Sequence, residues 1–334
     1  MAMIKVSIIM AAYNTEKYIS TAIDSILAQT FNEWELIICD DCSTDNTVKI
    51  IEEYCKKDNR IRLIKRSCNS GGTRIPNRES AMAATASLIM TFDADDFLDC
   101  DYIEKLYLRK KQTGANVVLS RLSFCNEKGE KTQKIIPNED FDYSQIISGK
   151  EAAKLTLGEI QISISGLLID KDIFIKNTTT FDRDIEECKY DEIDKRRLIL
   201  QNEKVAFTNT KYYYRQQPSS LMHNKGVKRY DFLKSIELIY RLAKENYKEK
   251  EVFDRLDNEF LTNLLFCQRD YYLYNHNKLK EAKEILEKLK SAYKFAKAEK
   301  MNTCNLKQKI CMLSFPIFQT VSYIYSIFLK YKQI

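Results

Sequence analysis

Three features of this 334-residue chain predict an α/β fold, a sheet with helices on both faces followed by a helical C-terminal region. Over the first 120 residues, short apolar runs alternate with segments of helical periodicity. Clusters of acidic or glycine-rich residues follow the apolar runs, where an open sheet of this kind places its ligand sites. From Gly226 onward only helical periodicity remains, so the expected domains are residues 1–222 and a helical region 223–334.

The elements follow in order. Lys5–Met10 (KVSIIM) reads as a buried strand, and Thr15 is placed to cap a helix whose apolar positions are Ile19, Ile23, Ile26 and Leu27. Trp34–Cys39 is a second strand, and Asp45 or Thr44 opens a helix through Tyr54. Ile61–Lys65 is a third strand, Arg78–Ala86 a helix and Leu88–Phe92 a fourth strand. Tyr102–Thr113 is a helix stopped by Gly114, and Val117–Ser120 a fifth strand. Residues 121–185 are less regular, with Ser163–Ile169 the expected strand. Asp191–Leu200 then reads as a helix and Lys204–Thr208 as a strand. Residues 278–297 carry Leu279, Ala282, Leu286, Leu289, Tyr293 and Ala296 on one helical face.

Composition narrows the function. With 44% hydrophobic and 30% charged residues the chain is globular, and 8 Gly and 4 Pro exclude collagen-like and proline-linker classes. No secretory pattern opens Met1-Ala2-Met3-Ile4-Lys5, so a cytoplasmic location is expected, with the ten cysteines as thiols. The net charge of +6 is uneven: residues 223–334 hold 22 basic against 13 acidic residues, and residues 1–222 are slightly acidic. That excess lies beside an apolar run at the end of the chain, which suits an anionic membrane surface and not nucleic acid.

Four places beyond strand ends are candidates for chemistry: Ala11-Ala12-Tyr13-Asn14, Asp40 to Asp45, Asn69 to Arg74, and Asp93-Ala94-Asp95-Asp96. Singly, each is also what a turn or helix cap looks like. The last is the most specific. Three carboxylates within four residues repel one another, and a hard divalent cation gives them a reason to stay together. Cys39-x-x-Cys42 has the spacing of a redox motif, but its interior is Asp40-Asp41, and nothing nearby suggests zinc. Gly71-Gly72 lacks the Lys-Ser/Thr of a Walker loop.

In combination these motifs resemble the family 2 glycosyltransferases, over roughly residues 4–222. VSIIMAAYN is similar to the family's opening strand, with Ala11 at a position that is often Pro and Tyr13 near the nucleotide base. DDCSTDNT resembles its DDGSTDGT loop, which implies Asp41 at uracil. DADD resembles its D-x-D(D) motif, which implies Asp95 at the ribose and Asp93, Asp95 and Asp96 around Mn²⁺ or Mg²⁺. NSGGTRIPN stands for the family's Asn-x-Gly loop with Pro76 in place of the usual Arg, leaving Arg74 or Arg78 for the phosphate contact. In FDRDIEECKYDEIDKRRLILQNEKVAF, Asp191 falls at the general-base position, with Glu192 as a competing candidate; KYYYRQQPSSL resembles the strand and loop that follow.

The resemblance implies the GT-A fold, a mixed and mainly parallel sheet. It also implies an inverting, single-displacement transfer from a nucleotide-sugar donor, UDP-linked on the reading of Asp41, to a glycan or lipid-linked glycan acceptor. With only His223 and His276 in the chain, a Ser-His or Cys-His machine has little support. The alternatives are a sugar nucleotidyltransferase, which expects a basic Gly-rich loop after the first strand, and a non-catalytic membrane-bound scaffold. A phosphatase-like use of Asp93 and Asp95 expects Thr or Val soon after the motif, where Phe97 stands.

The uncharged run Ile310–Leu329 is flanked by Lys307, Lys309, Lys330 and Lys332. Pro316, Gln319 and three serines argue against a full span. Ile310, Leu313, Ile317, Val321, Ile324 and Phe328 recur at helical spacing, as in a helix lying in a membrane interface on the inner face of the cell membrane. The competing expectation is a terminal helix packed on the protein's own core.

Overall fold

The computed structural model describes residues 3–158, 160–179, 190–217, 230–303 and 305–332. The chain divides into two compact units, Met1–Thr156 with Ile160–Gln217, and Leu157–Glu159 with Pro218–Ile334. The boundary expected at 222/223 lies outside the described residues.

The first unit runs β1 (Val6–Ala12), α1 (Ile19–Leu27), β2 (Trp34–Asp40), α2 (Thr47–Lys57), β3 (Ile61–Lys65), α3 (Arg74–Ala83) and β4 (Leu88–Thr91). It continues with β5 (Phe97–Leu98), α4 (Tyr102–Thr113), β6 (Val117–Cys125), β7 (Lys131–Ile136), β8 (Ile146–Ile147) and α5 (Gly149–Lys154). Then come β9 (Leu168–Asp170), α6 (Lys171–Thr179), α7 (Tyr190–Leu200) and β10 (Val205–Arg215). The sheet order is β3-β2-β1-β4-β9-β6-β10-β5, with β7 beside β6 and β8 beside β10. The β3-β2-β1-β4 half and the β6–β10 pair are parallel, and β9, inserted between β4 and β6, is antiparallel to both.

Both faces of this sheet are covered, which is why its strands read as unbroken apolar runs. Val6, Ile8 and Met10 join one core with Ile19, Ile23 and Ile26 of α1, Ile51 of α2 and Ile103 and Leu106 of α4. Ile9, one step along β1, joins the opposite core with Ala81 of α3, Ala152 of α5 and Leu198 and Ile199 of α7. The same alternation places Leu36 and Ile38 on one side and Ile37 on the other. Gly114 ends α4 with φ 62°, the left-handed cap expected of it.

Several expectations change at the ends. Thr15 does not cap α1 through its side chain; its carbonyl accepts from Tyr18 and Ile19, and the helix starts at Ile19. Helix α3 begins at Arg74, because Pro76 in its first turn lacks an N–H that would be unsatisfied there anyway. The strand expected over Ser163–Ile169 is reduced to Leu168–Asp170, whereas β6 and β10 run five and seven residues past the expected Ser120 and Thr208.

The second unit is helical: α8 (Phe232–Asn246), α9 (Lys250–Leu273), α10 (Ala282–Ala298), α11 (Leu306–Cys311) and α12 (Phe315–Lys332). Phe260 and Tyr240 pack their rings on Phe295 at 5.3 and 5.6 Å between centroids. The apolar run expected as one helix over Ile310–Leu329 is two helices, broken at Met312–Ser314.

Candidate active site

Strand order brings the predicted positions to one edge. In the parallel register Ala12 pairs with Asp40 and Asp40 with Lys65, so β1, β2 and β3 end level. Phe92, just past β4, donates its N–H to the Ile9 carbonyl at 3.0 Å, which brings Asp93–Asp96 to the same end.

The first two loops are stitched together. Asn14 takes a left-handed φ of 52°, and its side-chain oxygen accepts from the Thr44 N–H at 2.8 Å while its own N–H donates to Ser43. Asp45 accepts from the Glu16 and Thr47 amides at 3.1 and 2.9 Å, but the N-cap of α2 is Asn46, not the expected Asp45 or Thr44. Ala11 is half-buried on β1, and Tyr13 stands 49% exposed at the head of the loop.

Asp41 is buried and held by a neighbour that no motif singles out. Arg66 ion-pairs with it and, through Nε, with Glu79 at 3.1 Å. Ser70 donates to the same carboxylate from its N–H and from Oγ at 2.9 Å. Three donors thus make four hydrogen bonds to Asp41, two at each carboxylate oxygen. Burial alone would lower the Arg66 pKa, but the Asp41 and Glu79 carboxylates raise it. Glu79 also accepts from the Cys39 thiol, which burial and that carboxylate push up to about 12. A thiol so held is no nucleophile, and Cys39 and Cys42 are free of any disulfide.

The Asp93–Asp96 turn rests on β10, a contribution the sequence did not disclose. The Arg215 N–H donates to Asp96 Oδ1 at 2.7 Å, its Nε to the Asp95 carbonyl at 2.8 Å, and its Nη1 to the Glu127 carbonyl at 2.7 Å. Gln217 donates to Asp95 Oδ2 at 2.6 Å, and Tyr212 to Asp93 Oδ2 at 3.3 Å. Gly166 makes room for Tyr212: a Cβ there would lie 2.4 Å from its ring, and its φ is 63°.

Asp96 is 1% exposed, and among the described residues its Oδ2 has no hydrogen-bond partner, although the Tyr212 hydroxyl lies near enough to favour the ionised form. Burial, then Asp95 and Asp93, raise its pKa well above the usual carboxylate range. Burial and the Asp93 charge push Asp95 up to about 6. A buried carboxylate oxygen with no donor, next to two more carboxylates, is a site that favours added positive charge.

Arg74, in the first turn of α3, reaches Asp194 of α7 with Nε at 3.4 Å from Oδ2. That pairs the start of α3 with α7, which carries Asp191 at its second position. The side chains of Asp191 and Glu192 lie outside the described residues. Among the described residues no cluster of three His, Cys, Asp or Glu is arranged to enclose a metal ion.

A family model described as glycosyl transferase family 2 matches residues 7–176, half of the chain. Poly(ribitol-phosphate) beta-N-acetylglucosaminyltransferase TarS of Staphylococcus aureus is 25% identical over 270 residues, 77% of this chain and 44% of that protein. A poly(ribitol-phosphate) beta-glucosyltransferase of Bacillus spizizenii is 28% identical over 216 residues, 63% of this chain and 32% of that one. The chain thus spans less than half the length of these relatives. The crystal structure of S. aureus TarS 1–349 in complex with UDP-GlcNAc superposes with a TM-score of 0.67 at 19% identity, covering 99% of this chain and 92% of that one. The chain belongs to glycosyl transferase family 2 and has the GT-A fold.

Proposed function

We propose that this chain is an inverting glycosyltransferase that moves a hexose or N-acetylhexosamine from a UDP-sugar to a hydroxyl of a surface polysaccharide or lipid-linked glycan. The observation that carries this reading is the Asp93–Asp96 turn with its unpartnered Asp96 oxygen, set where four parallel strands end. Family membership supports sugar transfer. The activities named for the two curated relatives, and the ligand of the solved neighbour, support a UDP-sugar donor and a wall-polymer acceptor. Work on such an acceptor fits a cytoplasmic enzyme peripheral on the inner face of the cell membrane. Among the described residues no helix is long and apolar enough to cross a membrane.

In this reading Ala11, Tyr13, Asp41, Arg74 and Asp95 bind the nucleotide: Tyr13 lies on the base, Asp41 accepts the uracil N–H, and Arg74 meets the diphosphate. Asp96, Asp95 and Asp93 fit Mn²⁺ or Mg²⁺. Their donors are hard oxygens, one is unsatisfied, and an ion of this kind takes one or two carboxylates and completes its shell with water and phosphate oxygens. Such an ion supplies positive charge against the diphosphate as the glycosidic bond breaks. Asp191 takes the proton from the acceptor hydroxyl, whose oxygen attacks the anomeric carbon from the face opposite the diphosphate. Calorimetry with UDP in the presence of Mn²⁺ tests the donor assignment; tight binding of a purine nucleotide with UDP ignored overturns it. A thermal-shift screen of UDP-sugars then separates the donors.

Asp41→Ala is expected to weaken UDP binding by about 1.5–3 kcal/mol, the worth of a hydrogen bond to a charged group. Arg66→Ala is expected to weaken it less, since the carboxylate stays but its orientation is freed. Equal losses in a purine nucleotide control would show a general collapse of the pocket.

The metal should also bind in a pH-dependent way. With its pKa raised to about 6, Asp95 holds a proton in the unliganded protein at pH values where an unfolded chain has released it. Stability therefore falls as pH rises from about 4 to about 6, because the native state binds more protons there. The ion needs the carboxylate ionised. The Tm gained on adding Mn²⁺ and UDP should therefore be larger one pH unit above that value than one unit below it. A gain independent of pH would remove Asp95 from the metal site.

A further inference from the structure

We propose that α11 and α12 form a docking face for an anionic lipid membrane, seated through Ile310, Leu313, Ile317, Ile324 and Phe328. The proposal deepens, and rests on, the reading that the acceptor is lipid-linked.

Helix α12 is built inside out. Its buried side presents Phe318, Ser322 and Ser326, at 1%, 4% and 1% exposure. Its outward side presents Ile317, Ile324 and Phe328, at 38%, 60% and 53%. These three recur at helical spacing on one face, with half-buried Val321 between them. Small hydroxyl side chains let α12 lie close on its own unit, and Ser326 turns its hydroxyl back to the Tyr323 carbonyl at 2.7 Å. The apolar side chains are thus left outside. Helix α11 and the break after it extend the same character with exposed Ile310 and Leu313. Single exposed apolar residues are ordinary, but a continuous ridge marks an interaction surface.

Charge selects the occupant. Lys307 and Lys309 are exposed beside the ridge, Lys330 and Lys332 follow it in sequence, and no Asp or Glu occurs after Glu299. The Lys307 ammonium lies 3.9 Å from the Tyr325 ring centroid, held at the helix surface. A second copy docked face to face would bring two sets of lysines together with no acid to offset them. Anionic headgroups take those lysines while the ridge enters the acyl boundary. The break at Met312–Ser314 and the lack of a spanning helix among the described residues fit a pair of helices lying in the plane.

The test is flotation of the full chain with phosphatidylglycerol-containing vesicles and with pure phosphatidylcholine vesicles. The full chain is expected to float with the anionic vesicles at low salt and to be largely released at high salt. I324E/F328E should abolish flotation, and Lys309→Gln should lower vesicle affinity about fivefold, the worth of one basic charge at such a surface. Both changes are at exposed positions, so circular dichroism and UDP affinity should match the parent. Equal flotation of parent and I324E/F328E overturns the proposal. So does a parent that stays unbound to both vesicles, including one that light scattering shows to be a dimer which the double substitution dissociates. UDP calorimetry separates the two readings: flotation without UDP binding removes the transferase reading alone, and UDP binding without flotation removes this one alone.

Discussion

Asp96→Asn is expected to lower turnover by about a hundred- to a thousandfold, the range for removing one preorganised electrostatic group, while raising the Tm of the protein without metal. The two effects run in opposite directions for one reason. Asn keeps an oxygen for the Arg215 N–H that Asp96 now accepts at 2.7 Å, so the turn retains its support. What disappears is a buried acid that must hold a proton or else carry a charge which burial and the neighbours Asp95 and Asp93 disfavour. Removing such a charge relieves the folded state. In the proposed reading it also removes negative charge that would hold a divalent cation near the diphosphate. The measurement is a Mn²⁺ titration of turnover and of Tm on parent and variant. A variant that folds normally and keeps the parent's Mn²⁺ response would exclude Asp96 from the metal site. A loss of both Tm and activity would make Asp96 a structural residue.

This turn shows what a sequence can and cannot disclose. The three carboxylates of DADD stand in sequence, and electrostatic repulsion alone marks them as unusual. Their support comes from Tyr212, Arg215 and Gln217, more than a hundred residues away. Periodicity ends the strand at Thr208 and only the resemblance puts a strand at KYYYR; nothing local predicts that both are one strand, β10, parallel to β6 with a register shift between Phe207 and Lys211. Arg66 is a similar case. It follows β3 as an ordinary basic residue, and only the parallel pairing of β2 with β3 sets it against Asp41. The apolar strands were legible because covering on both faces removes the period-two pattern and leaves a simple run. Ser163–Ile169 was misread by the same rule: Ile164 and Leu167 are buried in the core, yet the chain pairs as a strand only from Leu168. On α12, spacing alone separated the apolar and serine faces, but which of them turned inward was settled by packing in the helical unit.

The largest loss should follow Asp191→Asn. A positioned general base contributes about a hundred- to ten-thousandfold, and the amide cannot accept the acceptor's proton. Helix α7 is well anchored for such a role. Ile193, Leu198 and Ile199 are buried, and Arg196 donates to the Thr156 carbonyl at 2.9 Å from Nη2. Arg74, at the start of α3, also pairs with Asp194 of α7 at 3.4 Å. The loss is expected in kcat, with UDP affinity within about twofold of the parent, since a group acting only on the acceptor proton adds little to donor binding. Glu192→Gln, the neighbouring carboxylate, is the control and should keep most of the activity. If Glu192→Gln carries the loss and Asp191→Asn is active, the base is Glu192. If both variants turn over at the parent's rate, the base lies outside α7 and the assignment of this helix to the acceptor side fails.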